Sequence, residues 1–116
     1  MKIIYFTTAI QRDDYKELCK LWKVSLNPSN QNFHNKMIRS LALTNEVEVI
    51  SIRPFSKRYC IAKYLQAEEK EEGNIHWHYV KVKGGKLSRP FIIKKEVMKT
   101  LKKIDTKDAI IITDTI

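Results

Sequence analysis

Asp108-Ala109-Ile110-Ile111-Ile112-Thr113-Asp114-Thr115-Ile116 is a near-continuous apolar run closed by hydroxyls and a carboxylate. Such a run predicts a strand buried on both faces, the place of a central strand in a parallel sheet covered by helices on either side. A parallel strand there needs a crossover helix to cover the sheet and carry the chain onward. The expectation is a doubly wound domain larger than these 116 residues, with this chain as its first, truncated part.

The segments upstream read the same way. Lys2 to Thr8 (KIIYFTT) is a short apolar run of central-strand type. Asp13 to Val24 predicts a helix, with Tyr15, Leu18, Cys19 and Trp22 at helical spacing and Asp13 and Asp14 favouring its start. Asn27 to Asn32 (NPSNQN) is polar punctuation before a helix over Phe33 to Thr44. Phe33, Met37 and Leu41 form its apolar stripe, edged by Ile38 and Ala42; Asn27 or Ser29 would cap it. Asn45 is a candidate terminator in the left-handed conformation. Glu46 to Arg53 alternates like a strand and Pro54 ends it. Ser56 to Gly73 stays undecided, and its Glu68-Glu69-Lys70-Glu71-Glu72 run reads as solvated and mobile. Asn74 to Lys83 predicts a strand, and Phe91 to Ile104 a helix with Ile93, Val97, Leu101 and Ile104 on one face. The alternation predicts an α/β fold: a Rossmann-like, partial doubly wound sheet of about four parallel strands in the order 3-2-1-4, with flanking helices.

Hydrophobic content of 43% supports a core, and no apolar run reaches the roughly 20 residues that span a bilayer. The first strand begins at Lys2, which leaves no room for a signal peptide and predicts a cytoplasmic protein. Cys19 and Cys60 lack C-x-x-C spacing and read as buried or half-buried thiols. The net charge of +9 lies mainly on helix-like segments, among them Lys16, Lys20, Lys36, Arg39, Lys99 and Lys102. It reads as solvated helix faces with an accessory attraction to an anionic membrane surface. No RNP pattern, zinc-finger spacing or KH loop accompanies it, so no specific nucleic-acid partner is assigned.

In sheets of this class ligands bind at the carboxyl ends of the strands. Thr7, Thr8, Arg53 and the closing Thr113-Asp114-Thr115 fall there. Ser29, Asn30, Gln31 and Asn32 stand at a helix start, where short amide and hydroxyl side chains offer donors and acceptors to an anionic or polyol ligand. Simple capping is the competing explanation of that stretch. His34, in the first turns of the helix, faces roughly the same end. His76 and His78 share one face of a strand without a third ligand, which favours a packing role over a metal site. Neither a G-x-G-x-x-G fingerprint nor a P-loop is present.

Taken together, Lys2 to Thr8, Asp13-Asp14-Tyr15, the run Asn27-Pro28-Ser29-Asn30-Gln31-Asn32-Phe33-His34-Asn35-Lys36-Met37-Ile38 and Val47 to Pro54 resemble the amino-terminal half of a family 4 glycosyltransferase. Glu71 to Tyr79 and Ala109 to Ile116 continue the likeness over almost the whole chain. The resemblance implies a GT-B enzyme that moves a sugar from a nucleotide-sugar donor to a saccharide or glycolipid acceptor, without metal or other cofactor, in cell-envelope polysaccharide or glycolipid synthesis. The acceptor would meet this domain, and the donor a carboxyl-terminal domain absent from the chain. The chain alone would be inactive, and no catalytic residue is assigned. Family members usually carry a glycine-rich loop after the first strand; Ser29 to Asn32, read as its counterpart, has no glycine. A small flavodoxin-like module that binds a phosphorylated ligand or a protein partner is the alternative. The bare final strand further predicts that the chain self-associates.

Overall fold

The computed structural model describes residues 1–23, 29–56, 58–83 and 89–113. Along the chain run β1 (Lys2–Thr7), α1 (Arg12–Leu21), α2 (Ser29–Ala42), β2 (Glu46–Ser51), β3 (Tyr64–Leu65), β4 (Glu68–Glu72), β5 (Ile75–Tyr79), β6 (Val82–Lys83), α3 (Arg89–Leu101) and β7 (Ile110–Thr113). Five strands form one sheet in the order β4-β5-β2-β1-β7. All its pairings are parallel except β4 with β5. The fold is mixed α/β with a mostly parallel sheet and flanking helices.

Register decides which residues share a face. Tyr5, Val49 and Trp77 lie side by side, as do Thr7, Ser51 and Tyr79. These residues are buried beneath α1 and α2, which reach them through Tyr5 to His34 and Tyr79 to Asp14. The opposite face carries Ile4 beside Glu48 and His76, then Phe6 beside Ile50 and His78. Ile93, Val97 and Leu101 of α3 pack against the core, as their helical spacing predicts.

Several expectations from the sequence are corrected. Glu68–Glu72 is mostly exposed, as its charges suggest, but it is the antiparallel edge strand β4 and not an irregular stretch, so the sheet has five strands where about four parallel ones were expected. Its charges are paired through the fold: Lys70 meets Asp14 at 3.2 Å, Glu72 accepts from Gln11 at 2.7 Å, and Glu69 lies 3.2 Å from His78. The strand expected over Asn74 to Lys83 breaks after Tyr79, and Val82–Lys83 pairs instead with Tyr64–Leu65 in a separate small sheet. Helix α2 begins at Ser29, so the polar run expected to be loop forms its first turn from there on; Asn27 and Pro28 lie outside the described residues.

The buried face of α2 is also rotated from the expected stripe. Gln31, His34 and Ile38 are buried, whereas Phe33 and Met37 are 57% and 40% exposed. Asn45 does not take a left-handed conformation; its amide nitrogen donates to the Leu41 carbonyl at 2.9 Å and satisfies one of the helix's last acceptors. The final strand is not buried on both faces. As the edge beside β1, its Ile110 and Ile111 are 47% and 58% exposed, and residues 114–116 lie outside the described part.

Candidate functional site

At the carboxyl end of β1 the chain turns through Thr8 to Gln11 into α1 without a glycine, and side chains take up the turn's backbone groups. Gln31 Oε1 accepts from Ile10 N at 2.7 Å, and Gln31 Nε2 donates to Thr8 O at 3.0 Å. Asn35 Nδ2 donates to Ile10 O at 2.9 Å. Thr7 Oγ1 accepts from Ala9 N at 3.0 Å, Ser51 Oγ donates to Ala9 O at 2.5 Å, and the Tyr79 hydroxyl accepts from Gln11 N at 3.1 Å. The start of α1 is closed as well, since Gln11 Oε1 accepts from Asp13 N and Asp14 N at 2.8 and 3.2 Å. Backbone N–H groups that a glycine-rich loop would turn toward a phosphate are here already satisfied.

Side chains therefore set the chemistry of the cleft that opens beside this turn. It measures about 300 Å³ and lies between α1 and α2, over Ile10 and Gln31. Arg12 and Tyr15 come from α1; Asn32, Asn35, Lys36 and Arg39 come from α2. The α2 residues recur as i, i+3, i+4 and i+7, which sets them on one helix face. Among the described residues no carboxylate lines this cleft.

A second cavity, of about 480 Å³, lies on the other side of α1 around Arg53, Tyr64 and Tyr79. Arg53 is 8% exposed. Its guanidinium donates to the carbonyls of Gln66 and, at 3.3 Å, Val80; it lies 3.8 Å from Glu68 and 5.1 Å from the Tyr79 ring centroid. Burial lowers its pKa, and the Glu68 carboxylate opposes that shift. The Tyr79 hydroxyl donates to Asp14 at 2.6 Å. Burial foremost, then that bond to Asp14, pushes its pKa upward from 10.0. The stabilisation it supplies is thus present below pH 10 and is lost only at higher pH.

The residues singled out from sequence now separate. Gln31 and Asn32 border the α1/α2 cleft. Thr7, fully buried, holds the turn, and Thr8 contributes its carbonyl to Gln31. His34 is buried at 7% exposure and does not line the α1/α2 cleft among the described residues, with Nδ1 2.7 Å from the Tyr5 hydroxyl and its ring edge-on to Phe33. Arg53 braces strand ends and belongs to the other cavity. Ser29 and Asn30 are the first residues of α2, and their side chains lie outside the described part. His76 and His78 pair with Glu71 at 3.5 Å and with Glu48 at 2.5 Å, on the face opposite the cleft. Arg12, Tyr15, Asn35, Lys36 and Arg39 were not singled out as site residues; the i, i+4 pairs Asn32/Lys36 and Asn35/Arg39 are the signal that marks their shared face.

Gln31 is thus a positioning residue. Gln31→Ala is expected to cost about 2 kcal/mol of stability, since it strands a buried N–H and a carbonyl of the turn. Chemical denaturation measures this, and a loss below about 0.5 kcal/mol would return the turn to self-sufficiency. Among the described residues no helix is long and apolar enough to cross a membrane. Comparison with known protein families, curated proteins and solved structures gives no match.

Proposed function

We propose that this chain is the acceptor-side, Rossmann-like domain of a GT-B glycosyltransferase that passes a sugar from a nucleotide-sugar donor to a hydroxyl of a saccharide or glycolipid acceptor in cell-envelope synthesis. The observation that carries the reading is the α1/α2 cleft. It opens at the carboxyl end of β1, next to the strand where a doubly wound sheet reverses its order, and this is the ligand position in such sheets. The parallel succession β5-β2-β1-β7 supports a Rossmann-like reading of the sheet. The resemblance around Asn27 to Ile38 supplies the enzyme class. Asn32 and Asn35 supply neutral amides suited to sugar hydroxyls. The donor belongs to a further domain, so the chain alone binds acceptor without turnover. Basic helix faces assist attachment to anionic membranes.

Amide NMR of the labelled chain tests this. Neutral methyl glycosides and short oligosaccharides at millimolar concentration are expected to shift Asn32, Asn35 and Ile10, while uridine leaves them in place. Flavin mononucleotide shifting the same residues, with no response to any saccharide, would instead favour a flavodoxin-like module.

The two sheet edges support self-association of the 116-residue chain. One edge, β4, reads Glu-Glu-Lys-Glu-Glu; the other, β7, reads Ile-Ile-Ile-Thr. Charges guard an edge against pairing with another chain, and β7 has none. Sedimentation at micromolar concentration is expected to show a dimer or larger species that Ile111→Lys converts to monomer. Added salt should strengthen association by screening the repulsion between chains of charge +9. A monomeric parent chain at high salt would overturn this.

A further inference from the structure

We infer that the α1/α2 cleft takes a phosphate-bearing sugar, held by the side chains of Arg12, Lys36 and Arg39 and not by backbone amides. The inference rests on the acceptor reading above and narrows it to acceptors whose sugar carries a phosphate or diphosphate.

Three observations converge on this. Arg12, Lys36 and Arg39 line one cleft of about 300 Å³ and none of them makes an ion pair among the described residues, whereas Lys20, Lys70 and Arg53 each have a carboxylate within 4.0 Å. Placing three unpaired cations around one small space raises their mutual repulsion, which a bound anion relieves. Helix electrostatics account for only part of the arrangement. Arg39 sits in the last turn of α2, where a cation is favoured, but Arg12 opens α1, where the macrodipole disfavours one.

The turn supplies the second argument. Ala9 N, Ile10 N and Gln11 N are taken by Thr7, Gln31 and Tyr79, so an anion here must be met by guanidinium and ammonium groups. Arginine suits this task because its planar fork donates two parallel hydrogen bonds to a phosphate.

An unmatched neutral acceptor beside the cations supplies the third. Among the described residues Asn35 Oδ1 is buried without a hydrogen-bond partner, whereas the nearby Tyr15 hydroxyl is met by Cys19. The Asn35 amide is oriented by its Nδ2 bonds to Ile10 O and Gln31 O, both 2.9 Å, so Oδ1 is the end left over. An acceptor without a donor fits a sugar hydroxyl, which a bare phosphate ion lacks. A small side-chain shift that brings Asn35 Oδ1 to the cleft would let one ligand satisfy both the charges and this acceptor.

Titration of the labelled chain with glucose 1-phosphate, inorganic pyrophosphate and methyl glucoside tests the inference. The expected result is saturable shifts at Arg12, Asn35 and Arg39, with glucose 1-phosphate bound at least tenfold more tightly than methyl glucoside. The double variant Arg12→Ala/Arg39→Ala should lose that preference, while Lys99→Ala/Lys102→Ala at the carboxyl end of α3 should keep it. Because the cations are exposed, these variants should retain the parent's amide spectrum elsewhere. Vesicles of phosphatidylcholine with phosphatidylglycerol form a separate arm. Competition between vesicles and glucose 1-phosphate, dependent on Arg12 and Arg39, would identify a lipid phosphate as the source of the anion. Equal loss in the α3 variant would overturn the inference, as the signature of undirected charge attraction. Methyl glucoside binding in the cleft with no gain from phosphate would overturn it too while leaving the acceptor reading intact. No response to any saccharide or phosphate would overturn both.

Discussion

Trp77→Ala is expected to lower the free energy of unfolding by about 4 kcal/mol, because truncating a fully buried tryptophan removes its transfer energy and leaves a cavity. Trp77 is 1% exposed and stands on β5 between β2 and β4, beside Val49 and Lys70. Its ring lies 6.1 Å from that of Tyr79 at an interplanar angle of 23°. The indole Nε1 is buried without a hydrogen-bond partner among the described residues, so a phenylalanine there gives up volume but also removes an unsatisfied donor. Trp77→Phe should consequently cost only about 1–2 kcal/mol. Urea denaturation of the two variants checks the pair. Equal losses would mean that the surrounding residues do not hold the shape of the site. Against total stabilities of about 5–15 kcal/mol for domains of this kind, the alanine variant should be close to unfolding at physiological temperature.

Arg53→Ala is the second large effect, expected at about 3 kcal/mol. The guanidinium joins the chain around Gln66, the end of β5 at Val80 and the face of Tyr79. Removing it strands the buried Val80 carbonyl and the half-buried Gln66 carbonyl, and takes away a side-chain link between the end of β5 and the chain after β3. Arg53→Lys should recover little of the loss, since one ammonium group lacks the planar fork and the ring stacking. Full recovery by lysine would show that charge alone is what matters at this position. Arg53 Nε has no partner, which marks the brace as incompletely satisfied and keeps the expected cost below that of a perfectly paired buried arginine.

Much of the architecture is legible in the sequence. KIIYFTT and EVEVIS became neighbouring parallel strands, the first because a short apolar run suits a central strand and the second because its side chains alternate at the strand period. The stripe Ile93, Val97, Leu101 and Ile104 packs against the core as its spacing predicts. Where local pattern and tertiary setting disagreed, the reading failed for identifiable reasons. Glu68–Glu72 looks solvated because an edge strand tolerates charge, and its partners Gln11 and Asp14 lie more than fifty residues away. In α2 the polar His34 is buried while Phe33 is exposed, because a hydrogen bond with Tyr5 makes His34 acceptable inside.

The candidate site divides along the same line. Gln31 and Asn32 were visible as a polar helix start, because amide side chains at a helix opening are a local feature that one turn of sequence displays. The basic cleft was not visible, because Arg12 comes from a different helix than Lys36 and Arg39 and only the packing of α1 against α2 gathers them. By itself, the sequence determined most of the strand and helix alternation, the parallel run of the main strands and a polar helix start at Ser29 to Asn32, all properties carried by period and short-range chemistry. Only the tertiary structure decided that Thr7, His34 and Arg53 are braces and that the open charges belong to Arg12, Lys36 and Arg39. Which polar group is left without a partner depends on contacts between residues distant in the chain, and periodicity carries no record of those.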